Sequence, residues 1–248
     1  MYPRALVFFL REFFFPAGCG LCGTVLLGPG EACQGLCGPC RESLEADAGP
    51  GVAADLPAGE TEAPEGARCG RCGRPLISEQ DRCLPCRERD DWNCESIRPL
   101  YPYTGKYRKL LAAYKFEKNL GLGNFLARRL AGCCREFPDF TLVPVPPRPG
   151  KIRTTGWDQV EYLARRLEHE GLPVRRCLKR LPSQTQKKLD RRNRLKNLEG
   201  RFVLTGTAPR RALLIDDVMT TGATLEACAA ALKQGGAEQV CGACLFYD

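Results

Sequence analysis

The stretch Ala212-Leu-Leu-Ile-Asp-Asp-Val-Met-Thr-Thr-Gly-Ala-Thr-Leu225 constrains the fold more than any other part of the chain. Its apolar opening, Ala212 to Ile215, has the length and composition of a central parallel strand. Thr224 to Gln234 is rich in helix formers and is stopped by Gly235 and Gly236. The loop between them therefore lies at a strand's carboxyl end and opens a helix. Helix N-termini present unpaired N–H groups, so Thr220, Thr221, Gly222, Ala223 and Thr224 offer amide and hydroxyl donors to a phosphate monoester. Asp216 and Asp217 stand just before this loop, at the strand's end and outside the core. They are placed to accept hydrogen bonds from two adjacent sugar hydroxyls, with Mg²⁺ nearby to offset their charge. A bare Asp-Asp pair is usually a solvated surface or a helix cap; the apolar strand before it and the Thr-rich loop after it argue otherwise.

Cysteine sets the second constraint. Sixteen Cys in a chain without the pattern of a cleavable signal peptide argue for a reducing cytosol, and the C-x-x-C spacing of many of them argues for metal over disulfides. An internal repeat is visible: Cys19-Gly-Leu-Cys-Gly23 matches Cys69-Gly-Arg-Cys-Gly73, and Cys37-Gly-Pro-Cys-Arg-Glu42 matches Cys83-Leu-Pro-Cys-Arg-Glu88. Each copy supplies four thiolates, which is the ligand set of a closed, structural Zn²⁺ site: Cys19, Cys22, Cys37 and Cys40, then Cys69, Cys72, Cys83 and Cys86. Cys33 is an alternative ligand in place of Cys37 or Cys40, and redox-active pairs are the competing reading. Cys94, Cys133, Cys134, Cys177, Cys228, Cys241 and Cys244 fit buried small residues.

Composition divides the rest. Ala5-Leu-Val-Phe-Phe-Leu10 and Phe13-Phe-Phe15 are apolar but broken by Arg11 and Glu12, too short for the ~20 apolar residues of a membrane span. Residues 1–18 are read as an amphipathic helix, 19–94 as the double zinc module and 95–248 as an α/β domain. Within the module, 46–67 has the composition of a disordered acidic linker. Residues 45–67 hold six acids and no Lys or Arg, whereas 147–211 hold eighteen Lys or Arg against six acids. That basic excess suits pyrophosphate, nucleotides or a nucleic-acid backbone, or is a solvated face.

From Ser96 onward the pattern reads as a strand pair around Arg98 to Tyr103, helices near Tyr107–Phe116 and Leu122–Cys133, and a strand around Phe140–Val145. Val143-Pro-Val-Pro-Pro147 ends that strand, and a loop with Arg148, Lys151 and Arg153 leads to a helix beginning near Trp157. Gly121-x-Gly123 lacks the third glycine of a dinucleotide fingerprint, which excludes a nicotinamide cofactor on this motif.

Residues 212–225 resemble the phosphoribosyl-pyrophosphate (PRPP) motif of type I phosphoribosyltransferases. With cysteine pairs before it and Val143-Pro-Val-Pro146 between, the order is similar to that of the ComF/GntX family over nearly the whole chain. The resemblance implies an α/β fold, a type I phosphoribosyltransferase-like open parallel sheet with an N-terminal cysteine-rich double zinc ribbon. It implies PRPP or a nucleotide 5′-phosphate as ligand, with Mg²⁺. Asp216 and Asp217 would be the catalytic acids holding the ribose diol, and Val218, Met219, Thr220, Thr221, Gly222, Ala223 and Thr224 would complete the PRPP loop. Ribose 5-phosphate would pass to a nitrogen acceptor. A role in competence and DNA uptake is implied, with single-stranded DNA and competence-machinery proteins as partners; the alternative is a non-catalytic nucleotide sensor or DNA-binding accessory. Where the family shows Arg-Gly-Phe-Asn-Gln this chain has Thr155-Gly-Trp-Asp-Gln159, and Trp157 reads as a base-stacking platform or a core aromatic. Gln186-x-x-Leu189-x4-Arg194-x-x-Asn197 and Phe202 match a second family segment, a hood whose Lys187, Lys188, Arg191 and Arg194, with Arg148, would face the departing pyrophosphate. His169, the sole histidine, lies in a charged helix end and is no candidate base.

Overall fold

The computed structural model describes residues 17–46, 68–76, 81–89, 92–182 and 200–248. The apolar N-terminal segment, nearly all of the acidic linker, and Lys187, Lys188, Arg191 and Arg194 lie outside the described residues. A four-stranded, all-parallel sheet carries the fold, in the order β1 (Ile97–Pro102), β6 (Gln239–Tyr247), β5 (Arg211–Met219), β2 (Thr141–Pro144). A small antiparallel pair, β3 (Leu178–Arg180) and β4 (Phe202–Leu204), stands apart. Only one strand forms around Arg98–Tyr103, not the expected pair, because β1 finds its partner in the C-terminal strand β6.

Helices cover both faces, and β5 shows why. Side chains alternate across a strand. Leu213 and Ile215 pack with Leu110 of α4 (Gly105–Lys115), Leu126 and Leu130 of α5 (Leu120–Arg135), and Leu163 and Leu167 of α7 (Gln159–His169). Ala212 and Leu214 pack with Leu225, Cys228, Ala229 and Leu232 of α8 (Ala223–Gln234) on the other side. Each such leucine is fully buried, a gain of roughly 1.5–3 kcal/mol apiece, and truncation of Leu213 or Leu214 to Ala costs about 2–5 kcal/mol. The seven cysteines outside the two groups of four, other than Cys33, are all buried in these clusters as small core residues.

The two cysteine modules dock at different places. The first carries α1 (Pro29–Gln34) and α2 (Gly38–Ala46) and buries Leu26, Leu36 and Leu44 in the same cluster as Leu122 and Leu126 of α5. Asn124 of α5 donates to the Cys33 carbonyl at 3.0 Å, and Lys106 of α4 donates to the Ser43 hydroxyl at 2.7 Å. The second carries α3 (Leu84–Arg87) and lies against the start of β1, where Ile97 N–H donates to the Arg71 carbonyl at 2.6 Å. Its Gly73 has φ +67°, and a Cβ there would come within 2.7 Å of the Ile97 carbonyl and collide with Pro99. Only glycine allows that approach.

Candidate functional site

Each cysteine module brings four sulfurs together. The Sγ atoms of Cys19, Cys22, Cys37 and Cys40 lie within 4.8 Å of one another, as do those of Cys69, Cys72, Cys83 and Cys86. Cys22 and Cys37 are 3.7 Å apart, and Cys72 and Cys83 3.6 Å. A tetrahedral Zn²⁺ with Zn–S of about 2.3 Å sets neighbouring sulfurs about 3.8 Å apart, so the donor set fits. The same backbone frames both copies. Cys19 N–H donates to Thr24 O and Cys69 N–H to Arg74 O, each at 2.8 Å, and Gly23 and Gly73 take positive φ. Cys33 sits exposed on α1, outside either tetrad.

The acids lie elsewhere, in a cleft of 530 Å³ at the carboxyl ends of β2 and β5. Open parallel sheets characteristically bind ligands outside the carboxyl ends of their strands. Val145, Pro146, Pro147 and Arg148 continue from β2 into the cleft wall, where proline stops the strand. The opposite wall is Asp216, Asp217 and Val218 of β5, with Thr224 of α8. The expectation that the acids sit at the strand's end and outside the core is corrected. β5 continues to Met219, held by pairing with β6 as far as Tyr247, and both acids are inside it and buried, 8% and 7% exposed.

Consecutive strand residues face opposite layers, and the partners of the acids follow from that. Asp217 reaches the α4–α7 side, where its Oδ2 accepts from Lys115 Nζ at 2.7 Å and Gln159 Nε2 at 2.8 Å. Burial alone would push its carboxyl up, but the Lys115 charge and these hydrogen bonds outweigh it and hold Asp217 below the ordinary carboxylate range. Asp216 Oδ1 accepts the Asp217 backbone N–H at 2.8 Å. Burial, and then the Asp217 charge, push Asp216 well above its ordinary value. The two acids are thus pushed in opposite directions, Asp216 up and Asp217 down.

Asp158 and Lys151 join this network. The Asp158 carboxylate caps α7, accepting from Val160 and Glu161 N–H at 3.0 Å each, and holds Lys151 Nζ at 2.6 Å. Lys151 also donates to the Gln159 side-chain oxygen. Lys151 and Arg153 belong to a short helix, α6 (Lys151–Thr155), where a loop was expected. Trp157 packs edge-on to Tyr114, ring centroids 5.3 Å apart at 89°, and against Tyr162, which makes it a partly buried core aromatic.

Of the residues singled out in the sequence, the structure brings Arg148, Lys151, Asp216, Asp217, Val218 and Thr224 to the cleft. Met219 points into the core beneath α8; Gly222 and Ala223 are buried, Thr221 accepts the Ala223 N–H at 3.3 Å, and the Thr220 carbonyl accepts from Arg74 of the second module. Lys115, Gln159 and Arg180 complete the cleft and were missed. Gln159 had a signal, since it closes the Thr155–Gln159 segment. Lys115 had none: a lysine ending an amphipathic helix looks like any solvated one. A larger cavity, 1120 Å³, lies between the first module and the α4–α5 turn and touches neither acid. No described helix is long and apolar enough to cross a membrane.

No family model matches the chain. Competence protein ComFC of Bacillus subtilis is 30% identical over 178 residues, 68% of this chain and 72% of its own. Competence protein F of Haemophilus influenzae is 27% identical over 188 residues, covering 69% and 81%. Competence protein ComFC of Streptococcus pneumoniae is 26% identical over 178 residues, covering 70% and 80%. Among solved structures, a purine phosphoribosyltransferase from Pyrococcus horikoshii aligns at 19% identity over 51% of this chain and 80% of its own, with a TM-score of 0.31.

Proposed function

The chain belongs to the ComF family of competence proteins, and from that premise we propose that it binds PRPP or a nucleotide 5′-phosphate in the cleft at the end of β5. The observation that carries this reading is the placement of two buried acids, Asp216 and Asp217, beside Thr224 at the start of α8 and opposite Arg148 and Arg180. Carboxylates accept from sugar hydroxyls, the N-terminus of α8 and Thr224 suit a 5′-phosphate, and the two arginines suit a pyrophosphate. The reaction proposed is transfer of ribose 5-phosphate: the bond from C1′ to pyrophosphate oxygen breaks, a bond from C1′ to the acceptor nitrogen forms, and the acceptor's proton passes to the departing pyrophosphate or to water. Arg148 and Arg180 would stabilise the charge that grows on the leaving group, a term strengthened where water is excluded.

Zn²⁺ in each cysteine tetrad would be structural, since four thiolates leave no open position. Mg²⁺ fits the cleft acids poorly. It requires near-octahedral oxygen ligation, whereas Asp217 is engaged by Lys115 and Gln159 and Asp216 by a backbone amide. A role in competence, with single-stranded DNA or other competence proteins as partners, is supported by the names of the relatives and by the basic excess of residues 147–211.

A second reading, ligand binding without transfer, is favoured by one observation. Asp158 and Asp217 are both tied to lysines, and His169 ends α7 while Asp158 caps its start, about 16 Å away at 1.5 Å per residue. Among the described cleft carboxyls that leaves Asp216 alone, itself engaged by a backbone N–H, as a proton acceptor. Calorimetric titration of PRPP with Mg²⁺ into the zinc-loaded protein tests the site: binding that disappears in the Asp216→Asn, Asp217→Asn double variant supports it, and absence of binding to the parent protein refutes it. Pyrophosphate release that requires a nitrogenous acceptor then separates transfer from binding alone.

A further inference from the structure

Asp217 is held more fully than a ligand-binding carboxylate needs to be. Its Oδ2 accepts from Lys115 Nζ at 2.7 Å and from Gln159 Nε2 at 2.8 Å, and its Oδ1 accepts the Val218 N–H at 3.0 Å. A carboxylate offers about four lone-pair directions; Lys115, Gln159 and the Val218 N–H take three, and the Asp216 carboxyl faces the fourth, so a ribose hydroxyl would have to share or displace that one contact. The partners are themselves fixed. The Gln159 side-chain oxygen accepts from Lys151, and its backbone carbonyl accepts the Tyr114 hydroxyl at 2.5 Å. Lys115 is the last residue of α4, and its side chain is 30% exposed while that of Asp217 is 9% exposed. The ammonium thus closes the wet end of a carboxylate otherwise buried, where removing a charged partner is costly. A divalent ion could reach Asp217 Oδ2 only by displacing Lys115 or Gln159.

We propose that Lys115 is a positioning residue of the phosphoribosyl cleft, a resident cation standing where a divalent ion would otherwise neutralise Asp217, and that with Gln159 it aims the fourth lone pair at a ribose hydroxyl. The inference rests on the ligand reading above. It makes a demand that reading does not: the sugar-phosphate end of the ligand binds without metal, and Mg²⁺ serves only ligands whose own pyrophosphate carries it.

Ribose 5-phosphate is the probe, since it has the diol and the 5′-phosphate but no pyrophosphate. It is titrated, with and without Mg²⁺ in chelator-free buffer, into the full-length zinc-loaded protein and into Lys115→Met and Lys115→Arg. The parent protein is expected to change its affinity less than about twofold with Mg²⁺, Lys115→Met to bind about tenfold or more weakly, and Lys115→Arg to recover to within about threefold, as charge-assisted hydrogen bonding predicts. Parent affinity that rises more than about tenfold with Mg²⁺ overturns the proposal, as does a folded Lys115→Met that binds like the parent. The metal arm needs no variant, so a misfolded Lys115→Met leaves the test intact. If the parent binds PRPP with Mg²⁺ but not ribose 5-phosphate alone, the inference fails and the ligand reading stands; if it binds neither, both fail.

Discussion

Cys94 and Glu226 join the second cysteine module to the helix behind the cleft. The Cys94 backbone N–H donates to Glu226 Oε1 at 3.0 Å, the Asn93 N–H donates to Oε2 at 2.9 Å, and Arg89 lies 3.6 Å from the same oxygen. Glu226 is 4% exposed and occupies the first turn of α8, where a negative charge is also favoured by the helix dipole. One carboxylate therefore fastens the chain leaving the tetrad to the element that opens the Thr220–Thr224 side of the site.

Removing that carboxylate strands two backbone donors. Glu226→Ala is expected to lower stability by about 2–4 kcal/mol, and Glu226→Gln, which keeps one acceptor, by about half as much. Guanidinium unfolding of the zinc-loaded protein reads both. An Ala variant within error of the parent would show that water replaces the carboxylate at no cost.

Each tetrad should hold its own ion. Metal analysis is expected to give two Zn²⁺ per chain, one after Cys86→Ala, and still two after Cys33→Ser, because Cys33 lies outside the cluster of sulfurs. A drop to one in the Cys33 variant would mean that the first site exchanges ligands.

Gly23 and Gly73 occupy equivalent corners of the two modules, with φ of +78° and +67°. Replacing either with Ala costs about 1–2 kcal/mol for the left-handed backbone. A Cβ at Gly23 meets nothing within 4 Å, whereas one at Gly73 meets Pro99 and the Ile97 carbonyl. Gly73→Ala should therefore destabilise the protein clearly more than Gly23→Ala. Equal losses would indicate that the second module docks loosely on β1.

The parts legible in the sequence were those set by local pattern. The run Ala212–Ile215, the helix after Gly222 and the paired C-x-x-C knuckles all emerged as read, because strand apolarity, a glycine stop and ligand spacing act over a few residues. The extent of β5 was not legible. Asp216 and Asp217 look like the strand's exposed last residues until β6 is known to pair alongside them and on to Met219. Lys115 and Gln159 were hidden for the same reason: they meet Asp217 only after the sheet has brought α4 and α7 to one face. The departure from Asn to Asp at 158 became intelligible as a helix cap that also neutralises Lys151.

Glu161 supplies a pH dependence of known sign. Burial would raise its carboxyl, but hydrogen bonds from Arg176 and Arg165 outweigh it and hold Glu161 below its ordinary value. A depressed folded-state value contributes stability above the unfolded value, about 4.3, and loses it as pH falls through the folded one. Both arginines are substantially exposed, so the contribution stays below about 1 kcal/mol. The stability difference between the parent and Glu161→Gln should shrink as pH is lowered from about 7 to about 4. A difference that grows would reverse the assignment.

The two acids of β5 should respond to amidation with opposite signs. Asp216 has its folded-state value raised, so its ionisation is tolerated in the unfolded chain and penalised in the folded one; that penalty is absent below the unfolded value and grows as pH rises toward the folded value. At pH 7 Asp216→Asn removes the penalty and is expected to stabilise the ligand-free protein. Asp217 has its value lowered by Lys115, so it contributes stability above the unfolded value that is lost as pH falls. Asp217→Asn gives up that contribution and leaves Lys115 facing a neutral amide, so at pH 7 it should destabilise. Guanidinium unfolding of the two single variants without ligand decides the matter. Losses of similar size in both would mean that the charge is shared between the acids, and that Lys115 does not select which of them carries it.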